Sequence, residues 1–174
     1  MTDQPDATEP KKRDATLTRQ AILAAAREEF AAHGLSGARV DAIAARTNAV
    51  KRMIYYYFGS KEGLYLAVLE AAYAEIRRVE QDLALDALAP QDAIRRLIEF
   101  TFDYDEANPD FIRLITIENI HRGQHVAGSD AIRAINRSAL TTLEGILDRG
   151  RASGVFRRGV DALDVHMMIS AVCF

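Results

Sequence analysis

The chain has 174 residues, of which 49% are hydrophobic and 27% are charged, and its formal net charge is −3 at pH 7. This length and composition predict one globular domain, or one domain with a small module attached, and they exclude a disordered chain. No run of about 18 apolar residues is present and the acidic N-terminus does not resemble a secretory signal, so we expect a soluble cytoplasmic protein. The lone Cys173 excludes an internal disulfide and a cysteine-based zinc site.

The charge is divided unevenly along the chain. Residues 11–61 contain ten Lys or Arg and four Asp or Glu, whereas residues 62–174 contain twelve Arg and eighteen Asp or Glu. A basic segment joined to an acidic body is typical of a small nucleic-acid-binding module on a larger domain. The imbalance could also arise by chance, so the sequence pattern within residues 11–61 has to decide whether this segment is a nucleic-acid-binding module.

The first third of the chain predicts an arm and a compact group of helices. Apolar positions recur at helical spacing, with Gly34 as a stop signal and Asn48 as a left-handed turn residue. The predicted elements are a disordered polar arm at residues 1–14 and helices at residues 16–33, 40–46 and 51–58. We assign residues 15–61 to a helix-turn-helix domain.

The remaining residues, 62–174, predict a helical bundle, so the fold class is all-α. Ser60, Pro90, Asn108-Pro109, Ser129-Asp130 and Asp161 each provide a helix start, and residues 123–128 are predicted as a loop. The helix after Pro109 is apolar nearly all round, which predicts burial on most sides. The sequence stops at Phe174 within an apolar helical pattern, so we expect either further chain or a covering partner.

The third predicted helix carries the candidate DNA-binding chemistry. Ile43, Ala44, Ile54 and Phe58 are expected to face inward, which leaves the cationic and tyrosine side chains of residues 51–56 outward. Lysine and arginine can neutralise phosphates and donate to guanine, and tyrosine hydroxyls can donate to phosphate oxygens. Because Tyr55, Tyr56 and Tyr57 are consecutive on a helix, they cannot all be buried.

The run from Gly37 to Leu69, GARVDAIAARTNAVKRMIYYYFGSKEGLYLAVL, resembles the DNA-binding signature of the TetR family of bacterial transcriptional regulators. The matching positions include Ile54, Tyr55, Tyr57, Phe58 and Lys61, and the similarity is sharp over about residues 17–72. The resemblance implies a homodimeric repressor that a small-molecule effector releases from a near-palindromic operator. The candidate DNA contacts are Arg39, Lys51, Arg52, Met53, Tyr55, Tyr56, Tyr57 and Lys61.

Three positions depart from the pattern of many family members. Asn48 replaces a glycine, Val50 replaces a residue with a capping hydroxyl, and Arg39 replaces a threonine. Loss of the capping oxygen at Val50 is expected to cost about 1 kcal/mol. Lys51 and Arg52, in place of a smaller pair, indicate a distinct operator sequence.

The resemblance also implies an effector pocket in the middle helices and a dimer interface in the last two. Polar or aromatic groups within apolar helices are the pocket candidates: Phe100, Tyr104, Phe111, Glu118, Asn119, His121 and His166. Glu118 is expected to pair with an arginine, and the charges at residues 103–106 to form a solvated helix end. The interface candidates are Leu140, Leu143, Leu147, Val165, Ile169 and Val172.

Two other readings stay open at this point. An architectural DNA-binding protein would need no effector and no internal cavity. A helical enzyme would need an acid–base pair, and Glu118 with His121 is the sole candidate, at i,i+3 spacing. We expect no cofactor and no metal site, although His121 and His125 are four residues apart.

Overall fold

The computed structural model describes residues 8–174, with side chains from residue 14 onward, and this part of the chain is all-α. Its helices are α1 (Thr8–Gly37), α2 (Val40–Ala45), α3 (Lys51–Phe58), α4 (Lys61–Gln81), α5 (Pro90–Ala107), α6 (Pro109–Ile120), α7 (Gln124–Gly128), α8 (Asp130–Ala152) and α9 (Ala162–Cys173), with a short 3-10 helix at Leu85–Ala87. The chain divides into two compact units, one up to Val68 and one from Leu69. The division between residues 61 and 62 stays a prediction.

The first helix begins earlier than the sequence predicts. Residues 1–7 of the predicted arm lie outside the described residues, but residues 8–14 are helical rather than disordered. The correction has a local reason, because a proline is tolerated in the first helical turn and the following Lys-Lys-Arg favours helix. Gly34 does interrupt the helix as expected, with φ 65° and ψ 177°.

The N-terminal unit is built around a small apolar core. Ile22, Phe30, Ile43, Ile54 and Tyr65 are fully buried, and the Phe30 and Tyr65 rings meet edge to face with centroids 5.0 Å apart. Ala44 and Phe58, which were also predicted inward, are half-buried. The Arg19 guanidinium lies 5.2 Å from the centre of the Phe58 ring, which covers that face of the ring.

The turn between α2 and α3 does not use a left-handed residue. Asn48 is absent from the positive-φ residues, so that prediction is wrong. The Thr47 side chain holds the turn instead, since its hydroxyl lies within bonding distance of the Ile43 carbonyl and accepts from the Ala49 amide. Val50 provides no side-chain cap to α3, as predicted, whereas the Ser60 hydroxyl accepts from the Gly63 amide at the start of α4.

The C-terminal unit packs α5, α8 and α9 against one another. Pro90 and Pro109 begin helices as predicted, and Ser129 and Asp161 cap α8 and α9 through their side chains. Asn108 was expected to cap α6, but its amide donates to the Tyr104 carbonyl and thereby closes the end of α5. Helix α4 ends at Gln81, before the predicted residue 85.

Residues 124–128 are helical, not a loop. The Glu118 carboxylate accepts from the backbone amides of His125 and Val126, and its Oε1 lies 2.9 Å from His125 Nδ1. These bonds satisfy the free amides at the start of α7, and they explain why so short a helix forms here. The structure therefore brings Glu118 to His125, a partner that the sequence does not predict.

Helix α6 is less enclosed than its composition predicts. Phe111, Leu114 and Glu118 are buried along one face, whereas Ile120 at the other end of the helix is 73% exposed. No helix among the described residues has the length and apolar character that a membrane span requires.

Candidate nucleic-acid interface and ligand cavity

Helix α3 presents a cationic and aromatic surface to solvent. Lys51 and Arg52 are exposed, and Tyr56 is 83% exposed. Ile54 is fully buried, and Met53, Tyr57 and Phe58 are half-buried, so one side of the helix packs against the unit while the side with Arg52 and Tyr56 is open to solvent. The predicted orientation of α3 is confirmed, including the requirement that at least one of three consecutive tyrosines faces outward.

Lys51 is partly neutralised by an acidic neighbour on α2. Its Nζ lies 3.0 Å from Asp41 Oδ1 and 3.1 Å from Asp41 Oδ2, and both side chains are about half exposed. The pair links the starts of α2 and α3. Among the described residues Arg52 has no ion pair, so its guanidinium is the free cation of this helix.

Two further candidate DNA-contact residues, Arg39 and Lys61, lie near helix starts of the N-terminal unit. The Arg39 side chain is exposed, while its backbone amide donates to the buried Glu29 carboxylate at 3.0 Å. Lys61 is half-buried and its Nζ donates to the Ser36 carbonyl at 3.3 Å. Both cations lie beside helix starts, where free backbone amides favour a phosphate.

The remaining α3 candidates differ in accessibility. Tyr55 is 39% exposed, whereas Met53 and Tyr57 are half-buried. The Tyr57 ring lies edge to face against Tyr56, with centroids 5.4 Å apart, and against Phe58 at 6.3 Å. This aromatic stack positions the exposed Tyr56 hydroxyl, so Tyr57 supports the surface more than it forms it.

The C-terminal unit contains a partly open cavity of about 180 Å³ among α4, α5, α6, α8 and α9. One wall is apolar, with Leu97, Phe111, Leu143 and Ile169 among its members. The polar groups that line the cavity are Tyr73, Arg77, Glu80, Thr101, Asp105, Asn136, His166 and Ser170.

Arg77 dominates the electrostatics of the cavity. Its Nη1 binds the buried carboxylate of Glu80 one turn further along α4, while its Nε is buried without a hydrogen-bond partner. Burial raises the pKa of Glu80, and the nearby Arg77 charge opposes that shift. Burial and the Arg77 charge together lower the pKa of His166, so its ring is neutral at pH 7.

Asp105 is the second notable charge in the cavity. Burial raises its pKa to about 6, and the Arg77 charge works in the opposite direction. Asp103 and Glu106 are exposed, as predicted for a solvated helix end, whereas Asp105 is half-buried and Tyr104 is buried, which corrects the prediction for those two residues. Tyr104 is buried in the core, 5.8 Å from the Phe111 ring centre, because the end of α5 packs against α6.

The structure separates the predicted pocket residues into three groups. Phe111 and His166 line the cavity, while Phe100 and Tyr104 lie in the adjoining core. Glu118 is buried with His125 as its partner, and Asn119 and His121 are exposed at the end of α6, away from the cavity. Glu118 and His121 therefore do not form the acid–base pair considered above, and no group of three metal-ligating side chains occurs among the described residues.

Three of the predicted interface residues are unavailable for an interface. Leu143, Leu147 and Ile169 are buried within the core of the chain itself, because α5, α8 and α9 pack against one another. Leu140 and Val165 are half-buried, and Val172 is 80% exposed. The exposed apolar side chains of α9 and its end are Leu163, Met167, Met168, Val172 and Phe174.

Sequence reasoning missed the polar half of the cavity, although α4 contains a signal. Tyr73, Arg77 and Glu80 follow i, i+4, i+7 spacing and so share one face, next to the buried Ala72 and Ile76. Charged residues beside the apolar stripe of a helix indicate a buried polar site. Asp105 has no comparable signal, because its enclosure depends on helices distant in sequence.

Models of two protein families match the chain. Residues 22–68 match "Bacterial regulatory proteins, tetR family", and residues 90–174 match "Tetracyclin repressor-like, C-terminal domain". The first range contains α2, α3 and the exposed cationic surface, and the second contains most of the cavity lining.

Similar proteins agree with these matches. The HTH-type transcriptional repressor NicS of Pseudomonas putida is 37% identical over 94% of this chain and 77% of its own length. The structure of the transcriptional regulator SCO4942 from Streptomyces coelicolor is 33% identical, with a TM-score of 0.66 over 90% of this chain and 77% of that one. A Bacillus subtilis regulator, FadR, in complex with stearoyl-CoA, has the same fold at 21% identity, with a TM-score of 0.68 over 88% of this chain and 82% of that one.

The names of these relatives describe regulators of transcription, which indicates a regulator and not an enzyme. The exposed face of α3 fits a protein that binds DNA, and α3 lies inside the matched helix-turn-helix region. The chain therefore belongs to the TetR family of bacterial transcriptional regulators and acts as a DNA-binding repressor.

Proposed function

We propose that the chain represses transcription as a homodimer on a near-palindromic operator and that a small molecule in the C-terminal cavity releases it. The observation that carries the DNA-binding part is the exposed Arg52 and Tyr56 on α3, opposite the buried Ile54. A recognition helix held in this way can enter a major groove while its apolar side stays in the core. Two-fold symmetry would then place two such helices about one DNA turn apart.

The proposed effector site is the cavity lined by α4, α5, α6, α8 and α9. A cavity with an apolar wall and a few convergent polar groups is typical of ligand sites. Its presence favours an effector-responsive regulator over an architectural DNA-binding protein. Effector binding would act through a differential affinity for two conformations, of which one has recognition helices misplaced for DNA.

The dimer interface is proposed on the outer surfaces of α8 and α9. The exposed Met167, Met168 and Val172 support this placement, since isolated monomers rarely expose so much apolar side chain on one short helix. Leu140 and Val165 remain candidates for its edge. An interface of this kind joins two copies through equivalent surfaces.

A double variant tests the recognition surface. Lys51→Ala with Arg52→Ala is expected to abolish specific binding to a duplex that the wild-type chain selects from random-sequence DNA, because the variant loses both groups that reach bases and phosphates. Fluorescence anisotropy measures the affinity, and circular dichroism checks that helicity is unchanged. Arg95→Ala with Arg96→Ala, on exposed positions of α5, is the matched control and should bind as the wild type does.

Salt dependence gives a second readout of the same proposal. Wild-type affinity should fall steeply as salt rises, since each neutralised phosphate releases counterions, and the double variant should show a shallower slope. A double variant that keeps wild-type affinity would refute the recognition role of α3.

A further inference from the structure

The cavity contains a buried donor that lacks an acceptor. Arg77 Nε is buried and unpartnered, although another nitrogen of the same guanidinium binds Glu80. Buried donors are nearly always satisfied in folded proteins, because an unpaired one loses its bond to water without replacement. Since Arg77 lines the cavity, a ligand atom that accepts a hydrogen bond would meet its guanidinium there, and a small movement of the side chain would bring Nε within reach of that acceptor.

Asp105 offers the complementary group, a side-chain hydrogen-bond acceptor that the described part of the chain leaves without a partner. Its carboxylate lines the same cavity, and among the described residues it has no ion pair or side-chain hydrogen bond. The titratable groups around it are Tyr73, Arg77 and Glu80 on α4 and His166 and Cys173 on α9. Glu80 already occupies a nitrogen of Arg77, so Asp105 is the cavity carboxylate that is available to a donor on a ligand.

The volume and charge of the cavity further restrict the size and the charge of the ligand. At about 180 Å³ the cavity is smaller than the 300–1,000 Å³ typical of drug-sized ligands, which limits the occupant to about one ring. Two carboxylates face one guanidinium, so an anionic ligand would add a third negative charge to a partly desolvated site. A cation without an acceptor would leave Arg77 Nε unpaired.

We propose that the effector is an uncharged, single-ring molecule that presents a hydrogen-bond acceptor to Arg77 and an N–H donor to Asp105, as a primary amide or a lactam does. This ligand class rests on the proposed function, because it describes the occupant of the same effector cavity. The ring would lie against the apolar wall that Leu97, Phe111 and Ile169 form.

Three compounds of nearly equal shape separate the possibilities. Benzamide carries both an acceptor and a donor, benzoate is an anion with acceptors alone, and benzamidine is a cation with donors alone. Titration calorimetry of the full chain at pH 7.5 should give benzamide an affinity about tenfold higher than either of the others, since each of them leaves one charged group of the cavity without its partner.

Asp105→Asn tests the role of the carboxylate. The asparagine keeps the size of the side chain but weakens the acceptor, so benzamide affinity should fall about tenfold. Asp103→Asn is the matched control on an exposed position of the same helix and should leave benzamide affinity unchanged. Thermal unfolding of both variants checks that they fold.

The pH dependence provides a second signature. The pKa of Asp105 is about 6, and the proposed ligand binds its ionised form, so wild-type affinity for benzamide should rise between pH 5 and pH 7.5. The rise should be smaller in Asp105→Asn, because the side chain at this position can no longer ionise. If the ligand instead accepted a hydrogen bond from the neutral carboxyl of Asp105, its affinity would fall between pH 5 and pH 7.5.

The outcomes separate this inference from the broader function. The ligand class is overturned if benzoate or benzamidine binds as tightly as benzamide, if none of the three probes shows saturable binding, or if Asp105→Asn leaves the affinity for benzamide unchanged. Anisotropy on the same samples with the selected duplex tests the function independently: a chain that binds DNA but prefers benzoate remains a repressor with another effector. Preferential benzamide binding that depends on Asp105 supports the inference.

Discussion

At the scale of single residues, Asp41 is an acidic side chain that contacts the proposed DNA-binding surface of α3. Its carboxylate holds Lys51 Nζ at 3.0 Å, between the starts of α2 and α3. Exposed ion pairs of this kind contribute little stability, with a typical value below about 1 kcal/mol. The effect of Asp41 is therefore expected on DNA binding, because it neutralises one of the two adjacent cations of the recognition helix.

Removal of that carboxylate should increase affinity for DNA of unselected sequence. Asp41→Asn is expected to raise this affinity several-fold and to steepen its salt dependence by about one phosphate contact, because Lys51 becomes free to pair with a phosphate. Anisotropy with a random-sequence duplex measures both quantities. Asp92→Asn, which removes an equally exposed partner of Arg95 on α5, is the control and should change neither.

At the scale of the helix, Glu118 shows how one buried carboxylate can determine a short element. The side chain is 2% exposed, and its oxygens accept from two amides and contact the His125 ring. Periodicity indicates that Glu118 lies on the buried face of α6. It does not reveal the partner, because the partner lies on a separate short helix, α7, whose first amides Glu118 accepts from.

Loss of this carboxylate should destabilise the α6–α7 region. Glu118→Ala is expected to lower the free energy of unfolding by about 2–4 kcal/mol, because it leaves buried amides and the His125 ring unpaired. Urea unfolding followed by circular dichroism measures the change. Glu118→Gln keeps one acceptor and should lower the free energy of unfolding by less. His121→Ala, at an exposed position, should leave it nearly unchanged. Equal losses in the alanine and glutamine variants would argue against the capping role.

At the scale of the whole molecule, the exposed apolar side chains indicate where a second copy would bind, because those in the core are already covered. Leu143, Leu147 and Ile169 are used within the chain, whereas Met168 and Val172 on α9 remain 67% and 80% exposed. A second copy that covered this surface would bury the excess apolar area, as stable homodimers do.

A charge placed on this surface should separate the copies. Met168→Glu is expected to yield a monomer in sedimentation equilibrium and to weaken operator binding, because the two recognition helices would no longer be linked. Phe102→Glu, at a 54% exposed position on α5, is the control and should keep the wild-type mass. A Met168→Glu variant of unchanged mass would place the interface elsewhere.

Much of the fold and the α3 surface could be predicted from the sequence because both depend on local rules. Helical periodicity, proline and serine starts and the family motif indicate α3 at Lys51–Phe58 and its exposed Arg52 and Tyr56. The capping of α3 without a side-chain bond from Val50 was predicted for the same reason.

The cavity and the free surface were decided by the tertiary structure alone. Whether Asp105 is solvated or half-buried depends on the residues of α4 and α9 that line the same cavity. Whether Leu143 faces a core or a partner depends on which helices pack against α8. Helical periodicity determines which residues share a face, and this much the sequence settles by itself. It leaves open what that face meets, because the free energy of burial is the same whether the covering atoms come from the same chain, a second copy or a ligand.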